Sequence, residues 1–200
     1  MLTLIFDIDG TLTDMWPVER AVLVALIPKD KQATLDALRS AGINDLYILY
    51  RKSTRARLGK LAFRNLYREK FDELKTAGLL PNIREYKSVA FIRQNPTAYT
   101  YVYATGGLKT EAEFILEKLG IKDIFSLDKS TSKDTCRFSK ATGMPFARIK
   151  RQLGECCLIT DNLTDVMGAD RAKIQTIRIN PATKLSRSQI QARCLAQSPL

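Results

Sequence analysis

Along the chain, short apolar runs alternate with longer stretches in which apolar residues recur every three or four positions. The runs are Leu2–Phe6, Tyr99–Ala104, Ile124–Leu127, Cys156–Ile159 and Thr176–Ile179. A continuous apolar run of this length, ended by polar residues, predicts a strand buried on both faces of a parallel sheet. Helical patterns fall between the later runs. Thr110-Glu111-Ala112-Glu113 reads as a capping box, Phe114, Ile115, Leu116 and Leu119 as the buried stripe, and Gly120 as the stop. Strand and helix in alternation predict an α/β fold, a three-layer Rossmann-like parallel sheet with right-handed crossovers.

One interval breaks the alternation. From Met15 to Glu85 the chain reads as helix after helix, with helical spacing in Glu19–Ile27, Lys31–Ala41 and Leu58–Leu74 and with Gly42, Gly59, Gly78 and Pro81 as punctuation. The expected organisation is therefore an α/β core from residues 1–14 and 86–200, with an α-helical insertion at 15–85. The last twenty residues, Pro181–Leu200, are polar and basic and read as a surface helix or a loose tail.

The end of the first run raises a chemical question. In Ile5-Phe6-Asp7-Ile8-Asp9-Gly10-Thr11, a buried strand leads straight into two carboxylates two residues apart. Ligands of a parallel sheet bind beyond the carboxyl ends of its strands. Gly10 permits a tight turn and close backbone approach, and Thr11 adds a hydroxyl. A second strand ends in Thr105-Gly106-Gly107 just before a helix, where N–H groups suit a phosphate. A third ends in Thr160-Asp161-Asn162-Leu163-Thr164-Asp165, with two carboxylates four apart. Ser132-Lys133-Asp134 offers a cation upstream of it. Four carboxylates gathered at one sheet edge repel one another and need a cation, and a hard, oxygen-seeking ion such as Mg²⁺ suits them together with a phosphate. Taken singly, each motif also fits a helix cap or a plain turn. It is the set that points to chemistry.

Charge and composition narrow the partners. The chain carries 32 Lys+Arg against 21 Asp+Glu, a net charge of +11, which favours an anionic partner: a phosphorylated metabolite, nucleic acid, or an acidic protein or membrane surface. The excess is denser in the insertion, with 14 basic against 8 acidic residues. There Arg57, Lys60, Arg64 and Arg68 fall on one helical stripe, and Phe63, Tyr67, Phe71 and Leu74 on another. Aromatics apart from the basic stripe weaken a nucleic-acid reading, which wants the two interleaved on one exposed face. Histidine is absent, which excludes His-based catalysis and His metal sites. Cys136, Cys156, Cys157 and Cys194 form no CxxC pair and read as core thiols of a reducing compartment. No apolar run approaches the ~18 residues of a membrane span, and the N-terminus lacks the pattern of a signal peptide. The expectation is a soluble cytoplasmic protein.

Asp-Ile-Asp-Gly-Thr-Leu-Thr, then Ala-Thr-Gly-Gly, then a lysine, then Thr-Asp-Asn-Leu-Thr-Asp resemble, in order, the four motifs of the haloacid dehalogenase-like (HAD) superfamily, and they span residues 5–165. The helical insertion is similar to the α-helical cap that one subfamily carries between its first two motifs. Thr160 departs from the glycine usual before the metal-binding aspartate, and Lys133 is followed by Asp134 where proline is common. The resemblance implies that Asp7 is the nucleophile and Asp9 the general acid and base. It implies that Thr105, Gly106, Gly107, Gly10 and Thr11 surround the phosphoryl group, joined by a lysine. Lys133 is preferred for its distance from Asp161, with Lys129 and Lys140 as alternatives. Asp7, Asp9 through its carbonyl, Asp161 and Asp165 are implied as the Mg²⁺ site. The implied activity is Mg²⁺-dependent hydrolysis of a small phosphomonoester. A phosphomutase of the same superfamily, or a nucleic-acid-binding or nucleic-acid-end phosphatase using the basic insertion, is the alternative.

Overall fold

The computed structural model describes residues 1–194. In chain order it contains β1 (Thr3–Phe6), α1 (Trp16–Leu26), α2 (Gln32–Ser40), α3 (Leu46–Thr54), α4 (Lys60–Thr76), α5 (Lys87–Gln94), β2 (Thr100–Tyr103), α6 (Lys109–Lys118), α7 (Met144–Leu153), β3 (Cys156–Thr160), α8 (Leu163–Arg171), β4 (Gln175–Arg178) and α9 (Arg187–Cys194). The four strands form one parallel sheet in the order β2-β1-β3-β4. This is the expected α/β, Rossmann-like fold. Among the described residues no helix is long and apolar enough to cross a membrane.

Successive side chains of a strand face opposite sides of a sheet. On one face Ile5, Val102, Ala104, Cys156 and Leu158 pack with Phe146 and Ile149 of α7 and Ala169 of α8. On the other face the rings of Phe6, Tyr101 and Phe125 meet at centroid distances of 5.9–6.3 Å. All four residues of β1 are buried, because it has a strand on each side and side-chain packing on both faces. Each such Leu, Ile or Phe contributes about 1.5–3 kcal/mol relative to exposure.

Three expectations are corrected here. Ile124–Leu127 is not a strand: Lys122–Ile124 is a 3-10 turn, and Phe125 meets Tyr101 at a single bridge. Its apolar character comes from filling the ring cluster, not from a ladder. Helix α6 begins earlier than the Thr110 capping box implied. Its N-cap is Leu108, whose N–H donates to Glu111 Oε2 at 2.7 Å. Cys136 and Cys156 are free thiols, but Cys157 is disulfide-bonded, so the expectation of four free thiols does not hold. Of the stretch Pro181–Leu200, α9 covers Arg187–Cys194, and the remainder of the tail lies outside the described residues.

The chain divides into two compact units, Met1–Met15 with Ile83–Leu200, and Trp16–Asn82. The second unit is helical. The rings of Tyr47, Tyr50, Phe63 and Tyr67 pack together from α3 and α4, with centroids 5.0–5.9 Å apart. Helix α3 escapes the periodicity because Leu46-Tyr47-Ile48-Leu49-Tyr50 is a continuous apolar run. It is started by Asp45, whose carboxylate accepts the Ile48 N–H at 3.0 Å. Helix α4 starts at Lys60, so Arg57 lies in the preceding loop and leaves the basic stripe. All three aromatic residues of α4 (Phe63, Tyr67 and Phe71) are buried, and none offers a face for base stacking.

Candidate active site

Three strand ends stand in step. Phe6 is opposite Tyr103 of β2 on one side and Ile159 of β3 on the other. The next residues, Asp7, the Ala104–Thr105 pair and the Thr160–Asp161 pair, therefore share the carboxyl edge of the sheet. The Asp7 N–H still bonds the Ile159 carbonyl at 3.0 Å, after which Gly10, at φ +76°, turns the chain back. Leu12 N–H closes the turn onto the Ile8 carbonyl at 2.9 Å, and Gly10 N–H onto the Thr13 carbonyl at 2.8 Å.

Asp7 is 5% exposed. Its Oδ1 accepts the Ile8 N–H at 2.8 Å and lies 2.8 Å from the Lys140 ammonium. The same ammonium donates to Asp165 Oδ2 at 2.5 Å, and the Thr160 hydroxyl bonds that oxygen at 3.2 Å. Lys140 is thus a largely covered cation between two buried carboxylates. Burial disfavours its charge, but Asp7 and Asp165 outweigh burial and hold the ammonium above its ordinary pKa. Burial pushes Asp165 up, to about 6, with Asp7 adding to the push and Lys140 opposing it.

The lysine that the geometry sets beside Asp7 is not Lys133. The ammonium beside Asp7 belongs to Lys140, the alternative not preferred from sequence. Lys133 is exposed, and its main-chain N–H donates to the Gly107 carbonyl at 3.0 Å. What brings Lys140 in is a 3-10 turn at Lys140–Thr142 packed against α8, which distance along the chain to Asp161 does not reveal. The available signal was Lys140-Ala141-Thr142-Gly143-Met144-Pro145, a lysine in a Gly/Pro-bounded turn that opens the amphipathic helix α7.

Asp9 accepts the Met15 N–H at 2.8 Å. Solvent reaches the residue, yet the protein packed around its carboxyl is the main cause of a pKa above the ordinary aspartate value. The charges of Asp7, Asp14 and Asp161 add to it, and the Met15 N–H opposes it. Asp161 lies over Gly10. Its carboxylate atoms stand 2.2–2.7 Å from where a Cβ at residue 10 would be. Thr11, fully buried, donates to Asp161 Oδ1 and accepts the Asp161 N–H, both at 3.2 Å. The Thr11 hydroxyl, expected at the phosphate, is engaged in holding Asp161.

The Thr105 loop is braced by the segment carrying Lys133. Thr105 N–H donates to the Thr131 carbonyl at 3.0 Å, and Lys109 N–H to Asp134 Oδ2 at 2.9 Å. The Thr105 hydroxyl accepts the Gly107 N–H at 3.0 Å. Two N–H groups at the start of α6 are thus met by carboxylates, Leu108 by Glu111 and Lys109 by Asp134, which narrows the anion site expected there. Among the described residues the Gly106 N–H meets no protein acceptor.

Tyr86 is a site neighbour that the sequence reading missed. Loss of water and the charges of Asp14, Asp9 and Asp161 raise its phenol. Segment 84–88 runs along the Asp9–Thr13 loop: Thr13 Oγ1 donates to the Arg84 carbonyl at 2.6 Å, Tyr86 N–H to the Leu12 carbonyl at 2.8 Å, and Ser88 Oγ to the Thr11 carbonyl at 2.5 Å. No local pattern signals a pairing across seventy residues.

Among the described residues no three acidic or cysteine side chains converge on one point as a metal cage. The carboxylates of Asp7 and Asp161 both stand close enough to Asp9 to act on its carboxyl, and all of these groups are oxygen donors. The Asp9 carboxyl senses the charges of both neighbours, so like charges crowd there. That set suits a hard divalent cation carried by two carboxylates with main-chain oxygen and water.

A sequence model of the haloacid dehalogenase-like hydrolases matches residues 1–173. Among solved structures, the chain is similar to a HAD hydrolase of family IA, variant 3, from Entamoeba histolytica, at 16% identity over 96% of this chain and 89% of that chain, TM-score 0.66. It is similar to CbbY from Rhodobacter sphaeroides, crystallised with phosphate, at 17% identity over 92% and 88%, TM-score 0.66. It is also similar to a predicted phosphoglycolate phosphatase from Haemophilus somnus, at 19% identity over 94% and 89%, TM-score 0.64. No curated protein sequence matches the chain. The fold of those structures is the one described above, and the family model covers every strand end that carries a candidate residue: the chain belongs to the haloacid dehalogenase-like hydrolase family.

Proposed function

We propose that the chain is a Mg²⁺-dependent phosphohydrolase that acts on a small phosphomonoester through an aspartyl-phosphate on Asp7. One observation carries the reading: the buried Asp7 carboxylate has Oδ1 held by the Ile8 N–H and the Lys140 ammonium. Oδ2, which meets neither of these donors, is the attacking oxygen. It forms the bond to phosphorus as the bond from phosphorus to the leaving oxygen breaks. Asp9 gives its proton to that leaving oxygen, a role that suits a carboxyl whose pKa is raised. In the second half-reaction Asp9 takes a proton from water as the water oxygen attacks phosphorus, which releases phosphate and restores Asp7. Lys140, Thr105 and the Gly106 N–H meet the phosphoryl oxygens as charge builds on them. Asp7, Asp161 and the Asp9 main-chain carbonyl would hold Mg²⁺, which when bound offsets the carboxylate and phosphoryl charge. Asp165 supports the site through Lys140. The helical unit Trp16–Asn82 is read as the cap of this family.

Hydrolysis of an aryl phosphate with and without Mg²⁺, by the native chain and by Asp7→Asn, tests the reading. Turnover that needs the metal and is lost in the variant is expected. Turnover that survives Asp7→Asn, or transfer to a second hydroxyl in place of water, overturns it, the latter in favour of a phosphomutase.

A further inference from the structure

Glycine in mid-helix costs about 1 kcal/mol relative to alanine. Gly168 stands inside α8, and its φ lies outside the left-handed region, so its backbone conformation does not explain it. Its surroundings do. A Cβ at residue 168 would be 2.0 Å from the Lys140 carbonyl oxygen, 2.9 Å from its carbonyl carbon and 3.0 Å from Phe146 Cε2. The main chain of Lys140 therefore rests directly on the helix backbone. The contact continues at Gly143, where a Cβ would be 2.7 Å from the Gly168 carbonyl and 3.0 Å from Arg171 Cβ. One turn further along α8, Arg171 Nη1 donates to the Ala141 carbonyl at 2.6 Å.

We propose that Gly168 is a positioning residue for Lys140, acting with Gly143 and Arg171 to let α8 set where the ammonium stands beside Asp7. The helix grips this lysine twice. Its first turn supplies Asp165, which takes the ammonium, and its last turn and a half supplies the surface on which the lysine backbone is seated. A lysine side chain has four flexible bonds, so its carboxylate partners alone do not fix its reach. Shifting the backbone outward by an ångström draws the ammonium from Asp7, the kind of misplacement that costs about 100-fold in rate. A simple packing role for Gly168 against Phe146 would destabilise the fold without acting through residue 140.

The activity arm rests on the function proposed above, and a chemical arm does not. In the chemical arm, reductive methylation followed by peptide mass spectrometry compares Lys140, whose side chain is 14% exposed, with exposed Lys118 as an internal reference. Lys140 is expected to be protected in the native chain and to be labelled at nearly the Lys118 rate in Gly168→Ala. Arg171→Gln, a surface change that folds even where Gly168→Ala does not, is expected to give intermediate labelling. Protection of Lys140 retained in both variants overturns the proposal. In the activity arm, Gly168→Ala is expected to lower kcat for an aryl phosphate about 100-fold with KM little changed. The same substitution should have no further effect in a Lys140→Ala background. An equal loss in both backgrounds assigns Gly168 a purely structural role and overturns the proposal. A native chain without turnover would refute the proposed function while the labelling arm still decides this one.

Discussion

The carboxylate of Asp161 fills the space that a side chain at Gly10 would need. Two strand-end loops, one from each of two neighbouring strands, therefore approach this closely only while residue 10 has no Cβ. Gly10→Ala is expected to cost about 1–2 kcal/mol from its left-handed φ, and to push Asp161 off the site. Urea unfolding should show the first. A raised Mg²⁺ requirement in the hydrolysis assay should show the second. An alanine variant with native Mg²⁺ dependence would mean that Asp161 is not a metal ligand.

Thr11 and Asp161 bond reciprocally through one buried hydroxyl. Thr11→Val keeps the shape and removes the hydroxyl, leaving the Asp161 N–H unmet, a loss of about 1–3 kcal/mol. Thr11→Ser is expected to recover most of it. If valine and serine behave alike, the hydroxyl is not what holds Asp161.

Lys140 compensates two buried carboxylates. Breaking such an arrangement from one side leaves buried charge unpaired and costs about 3–5 kcal/mol. Lys140→Met is expected to unfold that much more easily in chelator-treated buffer, and Asp165→Asn in the same chain should restore a large part of the loss. An Asp165→Asn change that adds its own separate cost would show that the three groups do not act as a unit.

Cys156 has its thiol pushed up to about 11, chiefly by burial, and donates to the Gly154 carbonyl at 3.2 Å. A raised pKa keeps the group protonated below that value, and the thiol is not the nucleophile. At pH 8 iodoacetamide should modify half-buried Cys136 and spare Cys156, read by peptide mass. Loss of that selectivity should appear only above about pH 11 or on unfolding. Equal labelling of both in the folded chain at pH 8 would contradict the burial of β3.

Periodicity and turn chemistry are short-range signals, and what they encode was legible in the sequence. A strand within Leu2–Phe6, the turn at Gly10, the Thr105-Gly106-Gly107 loop, the helix after Asn162 and a succession of helices between Met15 and Glu85 are all legible in the sequence. So is the presence of Asp7, Asp9 and Asp161 at strand ends, because a parallel sheet puts such ends along one edge. Tertiary packing decided the rest. Lys129, Lys133 and Lys140 are alike in local sequence, and packing between distant segments set the Lys140 ammonium beside Asp7. Thr11 faces Asp161 and Tyr86 neighbours the carboxylates because chains far apart in sequence pair there. Phe125 filled a ring cluster where its run had predicted a strand. Sequence by itself determined where most elements form and where charge collects, since those follow from neighbours within a few residues. Which side chains meet was settled only by close packing between distant segments, since a gap the size of one methyl group decides whether two backbones can touch.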